Sequence, residues 1–500
     1  KIAEEIAALV KKYNGSLSGE HGDGRLRGEF IPKMIGQENY QLLKKIKSTW
    51  DPQNIFNPGK IVDTAPMDTY LRYEKNHQTR EFDTVLDFSK DQGIIRAAEL
   101  CNGSGDCRKS ELTGGTMCPS YQATRDEKDT TRARANILRE MLTRSEKANP
   151  FAEPEIKEVL DLCLSCKGCK HECPSNVDMG KLKAEWQYQS YKEKGIPFRT
   201  KMIANYTKSM ERFEVAPWAY NLTRNLAKPL LGFASGRSIP KMANATLRSW
   251  FDQKFRSLQR TPKKKVYFFF DEFTNYLDVE IGKKAIMLLD RMGYEVTAVD
   301  HAPSSRAYLS KGLLEEAKGF AYQNVETFSS LLGADVSLVG VEPSAILTFR
   351  DEYPDLLRGE MKEKALKVAK YTLTIEEFLV RELDAGRLKS SDFPHEKKHI
   401  LVHGHCHQKA LSSMTPTMKV LKAAKNFKVQ LIPSGCCGMA GSFGYEKEHF
   451  DVSMKIGELV LFPKVRETDD DTVILASGTS CRHQILDGTG RVAKHIVEIL

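Results

Sequence analysis

Cys163, Cys166, Cys169 and Cys173 follow one another as C-x-x-C-x-x-C-x-x-x-C-P, and this run constrains the chain more than any other feature. Two-residue gaps bring three successive sulfurs to one side of a tight loop, where Gly168 relieves crowding. The fourth cysteine, set before Pro174, turns away toward a neighbouring site. Thiolates ligate iron–sulfur clusters at this spacing, whereas a structural zinc site normally uses two separated pairs. A looser group, Cys101, Cys107 and Cys118-Pro119, lies upstream, with Ser104 in the middle place of a C-x-x-C-x-x-C interval. If ligands cross over, one cluster takes Cys163, Cys166, Cys169 and Cys118, and the other only Cys101, Cys107 and Cys173. Three thiolates suit a 3Fe-4S cluster, a 4Fe-4S cluster with a non-cysteine ligand, or a site that stays empty. One or two clusters are expected, 4Fe-4S in type.

The eleven cysteines form three groups, with none between Cys173 and Cys406. Clustering at ligand spacing favours metal in a reducing compartment over disulfides. From Val266 onward strands alternate with helices, which predicts an α/β sheet. Strands near Val266, Glu295 and Asp335 recur at similar spacing near His399, Lys428 and Thr472, so two related βαβαβ halves are expected. In the second half a cysteine follows each strand: Cys406, then Cys436-Cys437-Gly438, then Cys481. Open α/β sheets place their sites at such carboxyl ends, and the glycine lets adjacent cysteines present both sulfurs to one metal. His403, His405, His407 and His483 could ligate or tune that metal. The plain alternative is a set of buried cysteines acting as small apolar side chains. The first half carries Phe273, Pro303-Ser304 and Ser344-Ala345 at the corresponding places.

No apolar run reaches the roughly 18 to 20 residues that a spanning helix needs, so at most peripheral membrane association is expected. The net charge of +9 is spread over 75 basic and 66 acidic residues, too diffuse for a nucleic-acid groove. An amphipathic helix carrying Ile2, Ile6, Leu9 and Val10 ends at Asn14-Gly15, and a short strand from Ser16 to Ser18 leads into a glycine-rich turn. A second helix spans about Glu38 to Thr49. With no initiator methionine or signal peptide, the sequence reads as part of a longer polypeptide.

The string GSLSGEHGDG at Gly15 to Gly24, with FNPGKIV at Phe56 to Val62, resembles the carboxyl-terminal end of FAD-linked oxidases of the vanillyl-alcohol oxidase type. The cysteine run and the CCG half resemble the iron–sulfur subunits of glycolate oxidase and anaerobic glycerol-3-phosphate dehydrogenase, and the heterodisulfide reductase family. Together the pieces look like the fused FAD and iron–sulfur D-2-hydroxyacid dehydrogenases. That resemblance implies a multidomain α/β and α fold. Residues 1–65 would be the tail of an α+β FAD-linked oxidase cap domain, 66–92 a linker, 93–200 a helical two-motif ferredoxin-type 4Fe-4S domain, and 201–262 a helical connector. Rossmann-like half-domains of CCG type would follow, a cysteine-free one at 263–396 and a second at 397–500.

The resemblance also implies roles. Glu20 resembles a divalent-metal ligand, His21 the general base that takes the substrate hydroxyl proton, and Asn57 a residue beside the flavin. Arg27 is a candidate for a substrate carboxylate, or for an exposed salt bridge. The expected reaction is FAD-dependent oxidation of D-lactate, D-2-hydroxyglutarate or glycolate, with electrons passed through clusters to a quinone, cytochrome or carrier protein. Most FAD contacts would lie outside this chain, which alone should not turn over substrate. The expected location is the cytoplasm, or peripherally at the inner face of the membrane. A non-catalytic electron-transfer or docking subunit is the alternative, and disulfide reduction at Cys436-Cys437 a third reading. Pro303-Ser304-Ser305 and Glu342-Pro343-Ser344-Ala345 depart from the CCG and EPSC motifs frequent in the family's first half, and put any cofactor there in doubt.

Overall fold

The computed structural model describes residues 1–73, 76–259 and 264–500. The boundary expected at Pro262 and Lys263 lies outside them. The chain divides into two compact units, residues 1–79 and 80–500.

The first unit is built on helices Ile2–Lys12, Ile31–Ile35 and Gln37–Trp50. The strand expected from Ser16 to Ser18 does not form: the described residues of this unit contain no strand to pair with it, and the Ser16 hydroxyl donates to the Ser18 carbonyl at 2.8 Å. Both longer helices leave their apolar faces bare. Ile2, Ile6 and Leu9 are exposed on one, and Leu42, Ile46 and Trp50 on the other.

In the second unit, helices fill the stretch up to about residue 250, followed by two parallel sheets. Strands β1 (Lys264–Phe268), β2 (Tyr294–Thr297), β3 (Leu338–Gly340) and β4 (Thr372–Thr374) lie in the order β2-β1-β3-β4. Strands β5 (Lys398–His403), β6 (Phe427–Leu431) and β7 (Val473–Ala476) lie in the order β6-β5-β7. In both sheets the first strand sits inside, flanked by its second and third, which fits a repeat. Strand β3 starts later than expected, because Gly333 and Val336 exchange backbone hydrogen bonds around Asp335 and close a turn there. β4 is too short to show a period of its own, and its last residue, Thr374, already caps the helix Ile375–Asp384 in a capping box with Glu377.

The buried run from Val266 to Phe270 reflects a parallel sheet covered on both faces. Phe268, Val339, Ile400, Val402 and Leu475 belong to one apolar cluster, so the two sheets share a core. Leu138, Leu160 and Leu182 of the helical region join Leu338 and Phe349 in another. No helix among the described residues is long and apolar enough to cross a membrane.

A charged contact also ties the helical region to the second sheet. His449 Nε2 lies 3.1 Å from Asp161 Oδ2 and its Nδ1 3.2 Å from Glu446 Oε2, with the ring stacked on Phe443. Burial opposes the charge, but the two carboxylates prevail and raise the His449 pKa to about 9. A pKa raised from 6.5 contributes stability that is full below about 6.5 and is lost as pH rises through about 9. The thermal-stability advantage over His449→Gln should shrink across that window; an advantage that stays constant or grows would contradict the assignment.

Candidate metal centres

Two glycines let the cysteine loops meet backbone to backbone. A Cβ on Gly168 would stand 3.0 Å from Met117 N and from the Thr116 carbonyl carbon. A Cβ on Gly435 would stand 2.8 Å from Gly115 O. The loop of the cysteine run therefore lies against the residues that lead into Cys118, and so does the loop that leads into Cys436-Cys437. Gly168 is thus crowded by the backbone of a second cysteine group.

Left-handed backbone shapes the first two groups. Ser165 (φ 50°) and Lys167 (φ 61°) curl the chain around Cys166, and Cys118 (φ 54°) precedes Pro119 at the start of the helix Pro119–Thr124. Non-glycine residues held this way cost of order 1 kcal/mol each and collect at ligand-binding turns. Cys107, Cys118, Cys163, Cys166 and Cys169 are buried, whereas Cys101 and Cys173 are half-buried. Sulfur-directed amides are present: Thr131 N–H donates to Cys118 Sγ at 3.0 Å, and Met179 N–H to Cys169 Sγ at 3.4 Å. Such donors stabilise thiolate and cluster sulfur. The neighbouring Cys118 thiol lowers the Cys107 pKa to about 6, while Cys118 itself is pushed up. Cys169 also lies near enough to Cys118 to act on it electrostatically. Cys118 thus stands between a member of each ligand set expected from sequence.

The third group lies at the carboxyl ends of β5, β6 and β7. Cys406 opens the helix Cys406–Leu411 just beyond β5, Cys436-Cys437 follow β6, and Cys481 lies in the first turn of the helix Thr479–Thr489 beyond β7. All four are buried. A ring nitrogen of His403 and the Cys437 and Cys481 sulfurs lie within 4.8 Å of one another. His403 Nδ1 is 2.7 Å from Ser434 Oγ, and the buried Nε2 has no hydrogen-bond partner. An unpartnered imidazole nitrogen beside two thiols is the donor set of a soft-metal site. The adjacent Cys436 and Cys481 thiols hold the Cys437 thiol well below the usual range, against burial, while their own are pushed up. The neighbouring Cys436 thiol likewise lowers the Cys406 pKa, to about 7. Lys409, its pKa lowered by burial, donates to Gly435 O at 2.9 Å and to Ser434 O, placing an ammonium beside the thiols.

His405 and His407 have other work. His405 packs on the Gly478 backbone and accepts from His407 N–H, and His407 Nε2 lies 3.3 Å from Ser165 O in the cysteine-run loop. His483 lines a separate cavity with Asp278 and Arg482.

The groups are contiguous. Cys166, Cys406 and Cys436 pack in one buried cluster with Leu164, Phe443 and Ile456. The cysteine-free half supplies the clamps. Buried Lys167 reaches Glu352 at 2.8 Å and also pairs with Asp351; Asp351 pairs with Lys170 too. Burial disfavours the Lys167 charge, but the two carboxylates more than offset it and raise its pKa. Glu342 accepts from Thr479 N–H at 2.8 Å, at the start of the Cys481 helix. Sequence reasoning missed Lys167, Asp351, Glu352, Glu342, Thr131 and Lys409. Lys167 was visible as a charge inside the run, whereas Asp351 and Glu352 carry no local signal.

In the first unit, His21 Nε2 and Glu20 Oε2 are 3.7 Å apart with both side chains exposed, 86% and 83%. Asn57 is also exposed, at φ 47°, and Arg27 donates to Gly22 O at 3.2 Å. The structure thus brings Glu20 and His21 together without enclosing them.

Residues 1–61 match the family of FAD linked oxidases, C-terminal domain, and residues 100–178 match the 4Fe-4S dicluster domain. The chain therefore joins a flavin-oxidase segment to an iron–sulfur segment, and the gathered thiols and sulfur-directed amides fit the latter. Among relatives, it is 26% identical to D-2-hydroxyglutarate dehydrogenase of Escherichia coli (strain K12), over all of this chain and 52% of the relative. It is 27% identical to a subunit of anaerobic glycerol-3-phosphate dehydrogenase from the same strain, over 55% of this chain and 68% of the relative. It is 28% identical to lactate utilization protein A of Bacillus licheniformis, over 47% of this chain and 98% of the relative. The chain spans about half the length of the D-2-hydroxyglutarate dehydrogenases it matches. No solved structure gives a significant match.

Adding a methyl group at either glycine contact forces the loops apart. Gly168→Ala and Gly435→Ala should each cost about 1–3 kcal/mol of stability and lower the iron retained per chain. Unchanged melting and iron content in both variants would contradict the convergence.

Proposed function

We propose that this chain is the electron-relaying portion of a flavin-dependent dehydrogenase of D-2-hydroxyacids such as D-lactate, D-2-hydroxyglutarate or glycolate. One observation carries the reading: buried members of the second and third cysteine groups, Cys166, Cys406 and Cys436, pack together, and both of their loops lie against the residues that lead into Cys118 of the first. When bound, FAD supplies two-electron chemistry at C2 of the hydroxyacid and iron–sulfur clusters supply one-electron steps. Cys163, Cys166, Cys169 and Cys118 hold one cluster, Cys101, Cys107 and Cys173 contribute to a second, and Cys406, Cys436, Cys437 and Cys481, with His403, hold a further metal. Lys409 places positive charge beside the Cys406 thiol and favours its ionised form, whereas the Lys167 charge is taken up by Asp351 and Glu352.

At the substrate end, Glu20 would hold a divalent metal, His21 would accept the hydroxyl proton, and Asn57 would contact the flavin. The bare apolar faces of the helices Ile2–Lys12 and Gln37–Trp50 support a further polypeptide surface that covers them, as a complete flavin domain would. The terminal acceptor is a quinone, cytochrome or carrier protein, and the setting is the cytoplasm or the inner face of a membrane. The relatives named D-2-hydroxyglutarate dehydrogenase, aligned along the whole chain, support the hydroxyacid class. Lactate utilization protein A matches over 98% of its own length, which favours as a second reading that this region serves as an electron-transfer subunit.

Anaerobically purified chain should hold about four to eight irons with matching acid-labile sulfide, and show a cluster resonance on dithionite reduction. Cys163→Ser should lose at least one cluster's worth. Negligible iron and sulfide after anaerobic reconstitution, with zinc in their place, would overturn the proposal.

A further inference from the structure

Residues 217–231 are helical almost throughout, as the helices Pro217–Thr223 and Ala227–Leu230 joined by a tight turn. Their inner side is occupied: Tyr220 packs on the cluster of Met210, Met242 and Tyr276, and the Asn221 side chain exchanges two 2.9 Å hydrogen bonds with the Met242 backbone. Trp218, Leu222, Leu226 and Leu230 recur every fourth residue along the two helices and the turn between them, and each is 69–75% exposed. Val215, just before them, is also exposed. A row of large apolar side chains this open is uncommon on a protein surface, and water is a poor solvent for it.

The charge pattern around the row decides what covers it. No Asp or Glu occurs between Glu214 and Asp252, whereas Arg224, Lys228, Arg237, Lys241 and Arg248 all do. Arg237 and Arg248 are engaged by carboxylates, Arg237 by Asp487 and Arg248 by Asp252 and Asp300. Arg224 and Lys228 instead donate to backbone carbonyls, those of Ile239 and Ser235, and keep an unneutralised charge; Lys241 is exposed. Lys208 and Arg212, on the preceding helix Tyr206–Phe213, are exposed as well. Glu211 and Glu214 are the exposed acids on the approach to the row, against the exposed cations Lys208, Arg212 and Lys241 and the unneutralised Arg224 and Lys228. A tryptophan-headed leucine row flanked by this cationic excess complements an anionic bilayer surface: the apolar side chains enter the acyl boundary while Lys and Arg meet the headgroups.

We propose that the Trp218–Leu222–Leu226–Leu230 face docks the protein peripherally on an anionic lipid membrane. On the electron-transfer reading above, on which this consequence rests, docking favours an acceptor carried in the bilayer. Binding itself involves no redox step and no metal, so the two ideas fail separately.

The test is sedimentation of the full chain with vesicles of mixed phosphatidylglycerol and phosphatidylcholine, compared with pure phosphatidylcholine. The chain should bind the anionic vesicles, more weakly as salt rises. Leu222→Glu/Leu226→Glu should bind at least about tenfold less. Val492→Glu, at an exposed apolar position elsewhere, should bind like the parent. Circular dichroism and melting of each variant show that it is folded; both sites are exposed, so both variants should be. Failure of the parent chain to bind either vesicle type would overturn the proposal and leave the face to a protein partner. Equal binding by the double variant would overturn it as well.

Discussion

The organisation of the larger unit depends on backbone approaching backbone where no side chain fits. At Gly168 and at Gly435, loops from distant parts of the chain come within the radius of a methyl group. Both contacts fall on the stretch Gly115 to Met117, just ahead of Cys118. That stretch is the hub on which the cysteine run settles from one side and the Cys436-Cys437 loop from the other. Any larger residue at either glycine pushes apart the elements that carry the sulfurs, so the geometry of the candidate centres and the packing of the fold are one constraint.

The cysteine-free half of the sheet region gains a role from this arrangement. Where the second half carries cysteines beyond its strands, the first carries Asp271, Glu272, Ser304 and Glu342, all buried. Their oxygens are used internally: Glu272 accepts from the Ser304 N–H and hydroxyl, and Asp271 caps the helix Glu272–Tyr276. Burial pushes both of these carboxyls upward in pKa, which suits a structural role. The same half reaches outward with Asp351 and Glu352 to Lys167 in the cysteine run, and with Glu342 to Thr479 ahead of Cys481. Removing one partner of a buried pair leaves an uncompensated charge, so these contacts hold the loops firmly. The half without sulfur acts as the frame for the half that has it.

Much of this was legible in the sequence because its strongest signals are local. C-x-x-C-x-x-C spacing, a CCG triplet after a strand and alternating strand and helix patterns each act over a few residues, and they located six of the seven strands among the described residues and every cysteine group. β4 escaped because its three residues run directly into the helix that Thr374 caps, and the strand at Ser16–Ser18 failed because a strand needs a partner that pattern alone does not supply. The clamps formed by Asp351, Glu352 and Glu342 were invisible, since they join residues far apart in sequence. Gly168 was singled out for the right physical reason, but the neighbour that demands it, the Thr116–Met117 backbone, appears only in three dimensions.

The central claim is that the cysteine run and the Cys406–Cys481 site form one contiguous relay through Cys166, Cys406 and Cys436. The most direct measurement is the microwave-power saturation of the reduced cluster resonance with cobalt(II) loaded at the His403–Cys437–Cys481 site, against zinc at the same site. The account predicts that cobalt makes the resonance markedly harder to saturate, and that Cys437→Ala removes the effect. Identical saturation with cobalt and with zinc, when absorption shows cobalt bound to thiolate, would contradict it.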